Sequence, residues 1–392
     1  MRYEDMEYEN YVNIFKAIAT DLTNPSRADI AKYLSLSRTA VSTITNSLIA
    51  YHLVEESKGS SSIGRGRPGC PLQLNQSYWR VLGASFMTDA WEFVICDLAG
   101  NIKNHLEIKV DNVTPKLLVD TLINGIKTIQ KDTKLKLIPA IGIGTPGVID
   151  QENGDILFAH DLNWTESFNI TDTVEKETGF KAFIMNRYSL EGVAAYKFGN
   201  PDRIKDFLYI GVGSGIRSAI YSDGKLINGA SFSAGRISHI PIMGNKRKCS
   251  CGRTGCLITV ANSKALMEYA QMDIEINQLR MLADKGDSKA CQAYDKIAEP
   301  LTEIITTLLD LLDPKMVVLG GPVGNSQYLI STINSKLSKA KSDRLHTGIL
   351  VQKESFEYSA SAIGASSLVA DRLLEIIFKT VKENKGQARS NL

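Results

Sequence analysis

Residues 234–239, Ala-Gly-Arg-Ile-Ser-His, and residues 249–256, Cys-Ser-Cys-Gly-Arg-Thr-Gly-Cys, form the most informative stretch of the sequence. Four residues of this stretch are of types that bind Zn²⁺, which prefers a closed tetrahedral set of thiolates and imidazole in structural sites. We therefore predict a structural zinc ion bound by His239, Cys249, Cys251 and Cys256. The alternative is three unconnected buried thiols and a solvent-exposed histidine, and the rarity of a Cys-x-Cys-x4-Cys cluster argues against it.

Length and composition set the class of protein. A chain of 392 residues is long enough for two or three domains, each with its own core. Its formal net charge of +2 is too small to indicate a nucleic-acid-binding protein, so any basic surface must be local. The first ten residues do not resemble a signal peptide, and no apolar run is long enough to span a membrane. With clustered cysteines that favour zinc over disulfides, we expect a cytoplasmic protein that does not enter membranes.

Short helical patterns dominate the first fifty residues. Residues 1–10 are acidic and show no apolar period, so we expect a frayed tail there. Residues 11–19 carry an apolar face and should form the first helix. Ser26 is a suitable N-cap for a second helix over 27–34, and Ser37 for a third that ends near residue 51.

This arrangement predicts a helix-turn-helix, in which the later helix enters the DNA major groove. The exposed face of the third helix is small, polar and free of acids, which suits a surface that approaches phosphates. The residues that we expect to contact DNA there are Arg38, Thr39, Ser42, Thr43 and Asn46. A protein-docking module is the alternative.

A wing is predicted to follow the helices. Two short apolar segments, residues 53–56 and 72–74, flank a loop that contains Gly-Arg-Gly-Arg-Pro-Gly at residues 64–69. Arg65 and Arg67 could enter a narrow minor groove, where negative potential is greatest over A·T tracts. The alternative is a flexible basic linker.

The rest of the chain alternates between strand-like and helical patterns. Residues 81–143 show the order strand, strand, strand, helix, strand, and a second such unit begins at residue 207. We predict an α/β fold in which an N-terminal winged helix-turn-helix precedes a two-lobed, actin-like or hexokinase-like ATPase fold, with a ligand cleft between the lobes. The expected boundaries are 1–77 for the DNA-binding domain, 78–196 for the first lobe, completed by a helix at about 362–380, and 197–361 for the second lobe.

Several motifs together resemble the ROK family of repressors, open reading frames and kinases. They are the Ala-Gly-x-Ile-x-His segment with its cysteine loop, Ile-Gly-Ile-Gly-Thr-Pro-Gly at 141–147, and Leu-Leu-Asp-Pro-x-x-Val-Val-Leu-Gly-Gly at 311–321. The resemblance covers nearly the whole chain. It implies that the zinc loop lies beside a sugar pocket and that His239 both binds the metal and faces the sugar. Repressors of the family carry the winged helix with a Gly-Arg-Gly-Arg-Pro wing, whereas the kinases lack it.

The sequence departs from the family's kinases where their chemistry occurs. Their Asp-x-Gly-Gly-Thr turn is Ser-Phe-Met-Thr-Asp here, at residues 85–89, and their Asn-Asp pair is Asn186-Arg187. Arginine keeps its proton in proteins and cannot act as a general base. The glycine turn at 213–215 is retained, but a later family glycine is Arg217. We therefore predict no phosphoryl transfer and no enzyme activity; the alternative is that another carboxylate replaces the missing base.

The sugar contacts are altered as well. Arg236 replaces a glutamate of the Ala-Gly-Glu-Ile-x-His motif, and Ile258 replaces a glutamate beyond the last zinc cysteine. We predict an anionic effector, a sugar phosphate or sugar acid, held by the forked donors of arginine. The predicted effector-binding residues are Asn186, Arg187, Arg236, His239, Trp164 and Thr145. The alternative is that the arginines pair internally, with Asp161 or Glu191, in a vestigial pocket.

Together these features predict a transcriptional regulator that represses genes for carbohydrate uptake or catabolism. We expect a homo-oligomer, dimer or tetramer, on a palindromic operator with A/T-rich flanks, because two-fold proteins match two half-sites. Two alternatives remain open from the sequence: a sugar kinase with a DNA-binding appendage, and a DNA-binding scaffold that responds to no effector.

Overall fold

The computed structural model gives the arrangement of most of the chain. The residues that it describes are 3–57, 70–87, 89–111, 113–132, 135–159, 162, 164–200, 202, 204–340, 349–356 and 360–377.

The N-terminal region contains three helices and a two-stranded sheet. Its elements are α1 (Tyr3–Lys16), extended by a π-helical turn (Ala17–Asp21), α2 (Arg27–Tyr33), α3 (Arg38–Ala50), β1 (Val54–Glu56) and β2 (Leu72–Leu74).

The local signals that start α2 and α3 act as predicted. The Ser26 hydroxyl accepts a hydrogen bond from the Asp29 N–H, and the Asp29 carboxylate accepts one from the Ser26 N–H, which completes a capping box. The Ser37 side chain accepts a hydrogen bond from the Ala40 N–H at the start of α3. These caps define the turn between the helices, in which Ser35 takes a left-handed conformation with φ of 55°.

The prediction of a frayed tail over residues 1–10 is wrong, since α1 begins at Tyr3. Propagating a helix costs little once a packed nucleus exists, and the buried Ile14 and Ile18 supply that nucleus. Glutamate and methionine are good helix formers, so the acidic stretch extends the helix although it has no apolar period.

The predicted strands of the wing pair in antiparallel fashion, with Val54 opposite Leu74 and Glu56 opposite Leu72. Arg65 and Arg67 lie outside the described residues. The cores of the winged helix and of the first lobe are continuous, because one hydrophobic cluster contains Ile14, Leu48 and Leu72 as well as Val94 and Val369. The indole N–H of Trp79 also donates to the Tyr51 carbonyl at 3.0 Å. The winged helix-turn-helix is therefore packed against the lobe that follows it.

The first lobe is built on a five-stranded sheet of order β10-β6-β3-β4-β5. Its strands are β3 (Arg80–Phe86), β4 (Ala90–Cys96), β5 (Ile102–Lys109), β6 (Leu137–Thr145) and β10 (Lys181–Asn186), and its helices include α4 (Pro115–Asp132) and α5 (Ile170–Thr178). A small three-stranded sheet joins β7 (Val148–Asp150), β8 (Asp155–Phe158) and β9 (Phe168–Asn169).

The second lobe contains a sheet of order β13-β12-β11-β14-β15. Its strands are β11 (Phe207–Val212), β12 (Ile216–Ser222), β13 (Lys225–Leu226), β14 (Met316–Gly320) and β15 (Val351–Lys353). Its helices are α7 (Ile258–Ala261), α8 (Ser263–Ala270), α9 (Ile276–Asp284), α10 (Ser288–Leu312), α11 (Gly321–Gly324) and α12 (Gln327–Ala340), and a 3-10 turn (Ile237–His239) precedes α7.

The two sheets repeat one topology, which confirms the two-lobed, actin-like fold predicted from the sequence. In each lobe the first three strands form an antiparallel meander, and the fourth lies parallel to the first on its other side. Helices α6 (Arg187–Phe198) and α13 (Ala360–Asp371) pack against each other; α6 contacts the second sheet and α13 the first. A Cβ at Gly364 would lie 2.0 Å from the Leu190 carbonyl oxygen, so only glycine permits this helix contact.

Within the described part of the chain, no helix combines the length and the apolar character that crossing a bilayer requires.

Candidate functional site

The third helix presents a polar face to solvent. Arg38, Thr39, Thr43 and Asn46 are exposed and Ser42 is half-buried. The opposite face is apolar and buried against the other helices; its members are Val41, Ile44 and Leu48. The structure therefore brings the five predicted DNA-contact residues of α3 onto one accessible surface.

Arg27 belongs to this surface and was not among the predicted residues. Its Nη1 lies 2.7 Å from Oε1 of Glu56 on β1, and its Nη2 donates to Oδ1 of Asn46 at 3.1 Å. The arginine thus links the first residue of α2 to both α3 and the wing. Its position at the start of a capped helix was visible in the sequence, but its partners are distant in the chain.

One imidazole and three thiols converge in the second lobe. The ligand atoms of His239, Cys249, Cys251 and Cys256 all lie within 4.8 Å of one another. The Cys251 and Cys256 sulfurs are 3.6 Å apart, and the Cys249 sulfur is 3.7 Å from the His239 Nδ1. A tetrahedron with metal–sulfur bonds of about 2.3 Å has edges of about 3.7 Å. The donor set and its spacing therefore fit a metal ion.

The loop folds tightly around this cluster. Gly252 and Gly255 both have φ of 87°, in the left-handed region that favours glycine. The backbone N–H of Arg253 donates to the Cys251 sulfur, which helps to lower the pKa of that thiol to about 7. A thiolate at neutral pH is the form that binds metals.

A cleft between the lobes contains one residue of the predicted effector set. It is lined from the first lobe by Ile149, Gln151 and Asn186, and from the second by Ser218 and Asn228, among others. The Asn186 side chain also caps α6, where its Oδ1 accepts from the Tyr188 N–H at 3.0 Å. Its amide donates to the Gly147 carbonyl at 2.7 Å. Asn186 is thus held rigidly at the edge of the cleft.

Arg187, the first residue of α6, is buried. Its Nη1 lies 3.7 Å from Oε1 of Glu191, and its guanidinium lies 3.9 Å from the centroid of the Tyr188 ring. The same Nη1 is 3.8 Å from the sulfur of Met87. The internal pairing with Glu191 that was the alternative from the sequence is therefore present. Asp161, the other partner considered, lies outside the described residues.

Glu191 begins a buried chain of polar groups that joins the lobes. The hydroxyl of Tyr209 on β11 lies 3.3 Å from Oε2 of Glu191 and 3.3 Å from Oε1 of Glu354, which follows β15. Oε2 of Glu354 accepts a hydrogen bond from the Gly321 N–H at 3.2 Å. Since Glu191 belongs to α6 and the other members to the second lobe, the network spans the interface.

All hydrogen bonds of this network can form when one of the two carboxyl groups, Glu191 or Glu354, is protonated and the other is ionised. Tyr209 has a single proton to donate. Burial raises the pKa of Glu191, but the charge of Arg187 opposes this shift, so we take Glu191 as the ionised partner. Tyr209 then donates to Glu191 and accepts from a protonated Glu354. Burial and the charge of Glu191 raise the pKa of Glu354 to about 8. We therefore assign the neutral state to Glu354 near neutral pH.

The other predicted effector residues occupy different environments. Thr145 is fully buried and its hydroxyl has no partner within the described part of the chain. Trp164 is buried in the core of the first lobe against Phe168. Arg236 is exposed beside the 3-10 turn, and the half-buried His239 belongs to the cysteine cluster. The structure does not bring all six residues to one surface, and their joint role in binding stays a prediction.

Two positions where the family's kinases have glycine carry larger side chains. The Met87 sulfur contacts Arg187, and it also accepts from the Ser361 hydroxyl at 3.7 Å. Arg217 lies on β12 just beyond the Gly-Ser-Gly turn. Thr88, at the other glycine position of the first turn, lies outside the described residues.

Known proteins that resemble this chain are regulators and sugar kinases. A model of the ROK family matches residues 87–372. The xylose repressor of Caldicellulosiruptor bescii is 28% identical over 334 residues, which cover 79% of this chain and 82% of that protein.

Among solved structures, a ROK family transcriptional regulator described as a homologue of the Escherichia coli MLC protein superposes with a TM-score of 0.82 at 22% identity. The superposed region covers 96% of this chain and 99% of the chain in that structure. A Streptomyces griseus ROK glucokinase, in complex with glucose and AMPPNP, has a TM-score of 0.66 at 21% identity. The superposed region covers only 74% of this chain but 98% of the glucokinase chain.

The cysteine cluster predicts that the protein contains one bound metal ion per chain. Replacing Cys256→Ser should remove the ion and lower the Tm by about 5 °C or more, because metal binding contributes to folding. Metal content is measured by inductively coupled plasma mass spectrometry and Tm by calorimetry. Cys291→Ser is the control, since that thiol lies outside the cluster. Full metal content in the Cys256 variant would contradict the assignment.

The carboxyl pair predicts a pH dependence of stability. The folded-state pKa of Glu354 is about 8 and its ordinary value 4.5, so the folded protein binds more protons and its stability falls as pH rises between these values. Glu354→Gln mimics the protonated acid. From pH 5 to pH 8 the stability of this variant should increase relative to the wild type by more than about 1 kcal/mol.

Thermal unfolding from pH 5 to pH 9 measures this difference. Glu299→Gln, at an exposed residue of α10 that pairs with Lys336, is the matched control and should show no such trend. A constant difference between the Glu354 variant and the wild type would show that Glu354 does not titrate in this interval.

Proposed function

We propose that this chain, which belongs to the ROK family, is a DNA-binding transcriptional repressor that responds to a sugar-derived effector. The observation that carries the proposal is the outward face of α3. It stands as the recognition helix of a capped helix-turn-helix, exposes polar side chains and arginine, and contains no acid. The relatives named repressors, and a regulator that covers nearly the whole chain, support the same function.

On DNA, α3 would lie in the major groove and the wing over the adjacent minor groove. Arg38, Thr39, Ser42, Thr43 and Asn46 would contact base edges and phosphates, and Arg65 and Arg67 would enter an A/T-rich minor groove. A two-fold homo-oligomer, dimer or tetramer, would place two such units on a palindromic operator. Several phosphate contacts would make the affinity fall steeply with salt.

The effector would bind between the lobes, where Asn186 lines the cleft. We propose that the effector is an anionic sugar derivative. The hydroxyl groups of a neutral sugar need hydrogen-bond acceptors, but Arg187 and Arg236 offer only donors. Arg187 is already paired with Glu191, so the exposed Arg236 is the freer of the two predicted contacts. The further residues proposed for this pocket are His239, Trp164 and Thr145.

Catalysis is not part of the proposal. At the N-terminus of α6, where the family's kinases hold the carboxylate that removes a hydroxyl proton, this chain holds Arg187 in contact with Met87. A guanidinium cannot accept that proton at any physiological pH. The same pocket can therefore recognise a sugar derivative without phosphorylating it.

The metal bound by the cysteine cluster is proposed to be structural Zn²⁺. Three thiolates and one imidazole fill a tetrahedral coordination sphere, so no position is left for substrate. His239 ends the 3-10 turn that begins one residue after Arg236. The ion would therefore hold Arg236 in place relative to the cleft.

Effector binding would reach the DNA through lobe closure. The polar network of Glu191, Tyr209 and Glu354 crosses the interface between the lobes. The winged helix shares its core with the first lobe. A change in lobe angle within a dimer would thus alter the separation of two recognition helices, and this separation must match the half-sites.

The proposal predicts that an anionic sugar derivative releases the protein from its operator. The operator is first selected from fragments of the genome, and its affinity is measured by fluorescence anisotropy. Sugar phosphates or sugar acids should weaken binding by about tenfold or more, within the usual range of coupling between two sites. Release by neutral sugars, with no effect of anionic ones, would contradict the anionic effector.

Variants separate DNA contact from effector response in the same assay. Arg65→Ala/Arg67→Ala should weaken operator binding in the absence of any sugar, with a shallower dependence on salt. Lys181→Ala, which removes an exposed cation from the start of β10, is the control and should bind as the wild type. Unchanged binding by the double variant would exclude the wing from the interface.

A further inference from the structure

Two arginines, Arg217 and Arg236, lie next in the chain to segments that border the interlobe cleft. Ser218 and Ala234 line the cleft. The Ser218 N–H and hydroxyl both donate to the Gly235 carbonyl, at 2.9 and 3.3 Å. Arg217 directly precedes Ser218, and Arg236 directly follows Gly235. The hydrogen bonds between these two segments therefore bring the two arginine-bearing backbones side by side at the cleft.

The start of α6 borders the same place. An added Cβ at Gly215 would lie 2.8 Å from the Tyr188 hydroxyl, so the turn before β12 touches α6. Tyr188 in turn lies under the guanidinium of Arg187. Arg217 lies two residues beyond Gly215 and interacts electrostatically with Tyr188, so its side chain lies near the start of α6.

The charges of this region are not balanced. Arg187 has Glu191 as its partner, whereas neither Arg217 nor Arg236 forms an ion pair within the part of the chain that the structure describes. The Nε of Arg217 is buried and has no hydrogen-bond partner there. Burial and the charge of Arg236 lower the pKa of Arg217 to about 10, which leaves it a cation at neutral pH. Two neighbouring cations, one with a buried donor that lacks an acceptor, are unfavourable unless an anion joins them.

We propose that Arg217 and Arg236 form an oxyanion subsite at this end of the cleft, which binds the phosphate or carboxylate group of a sugar-derived ligand. The planar donors of arginine match both groups, and two cations complement the two negative charges of a phosphate monoester best. The effector role of this ligand rests on the proposed function, but the subsite itself does not. Arg217 thus replaces Arg187 as the partner of Arg236 in the predicted pair of anion-binding arginines.

The test uses the full chain and inorganic phosphate, titrated by calorimetry at constant ionic strength and without DNA. The wild type should bind phosphate, and Arg217→Met, which keeps the buried stem but not the charge, should bind it at least about tenfold more weakly. Arg217→Lys should retain part of the affinity. Arg372→Met is the control, because this arginine stacks on Phe183 away from the cleft and its loss removes the same charge.

Folding of the variant is checked in phosphate-free buffer. Removing an unpaired, half-buried cation should leave the Tm of Arg217→Met equal to or above that of the wild type. Phosphate binding by this variant with wild-type affinity would overturn the subsite. Equal weakening by Arg372→Met would overturn it too, because binding would then depend only on net charge.

Three sugars distinguish the sources of the anion. Glucose 6-phosphate, gluconate and glucose are titrated into wild type and Arg217→Met, and the subsite predicts that only the first two depend on Arg217. Dependence of glucose binding on Arg217 would contradict it. If anions bind through Arg217 but leave operator affinity unchanged, the subsite stands and the effector response of the proposed function fails.

Discussion

The buried ion pair of Arg187 and Glu191 is the interaction on which the rest of the site depends. It lies at the start of α6, the helix that faces the second lobe, and it places a fixed positive charge where the family's kinases need a proton acceptor. A buried charge needs a counter-ion at short range, and here that counter-ion is the buried Glu191. Glu191 then determines the state of Tyr209 and Glu354 across the interface. Glu191 therefore belongs both to this ion pair and to the polar connection between the lobes, and in the proposed function Arg187 occupies the place of a catalytic carboxylate.

In the proposed function, the second lobe contributes Arg217 and Arg236 to ligand binding. A metal ion in the cysteine cluster would fix His239, three residues beyond Arg236, and the Ser218–Gly235 hydrogen bonds bring the backbone of Arg217 beside that of Arg236. Rigid donors recognise an anion well because little conformational entropy is lost on binding. In the proposed function, the core shared by the winged helix and the first lobe would transmit a change at the cleft to the DNA-contacting helix. Recognition, closure and DNA spacing can thus be linked without any chemical step.

Much of this architecture could be predicted from local sequence signals. The caps at Ser26 and Ser37, the order of strands and helices, and the set of one histidine and three cysteines depend on residues close in the chain, and the structure contains all of them. The start of α1 was predicted wrongly because helix propagation does not require an apolar period. The contact of Tyr209 with Glu354 joins residues 145 positions apart, and no local pattern encodes it. The pairing of Arg187 with Glu191 is different, because the two residues are four positions apart in one helix and such a contact is local.

The central claim is that a cleft with the architecture of a sugar kinase binds a sugar derivative without turnover. The most direct measurement is ADP formation by the purified protein with ATP, Mg²⁺ and a panel of hexoses, followed in a coupled assay beside a ROK glucokinase. The account predicts no ADP above the background without sugar, for the wild type and equally for Arg187→Ala. ADP formation that depends on any hexose in the wild-type protein would contradict it.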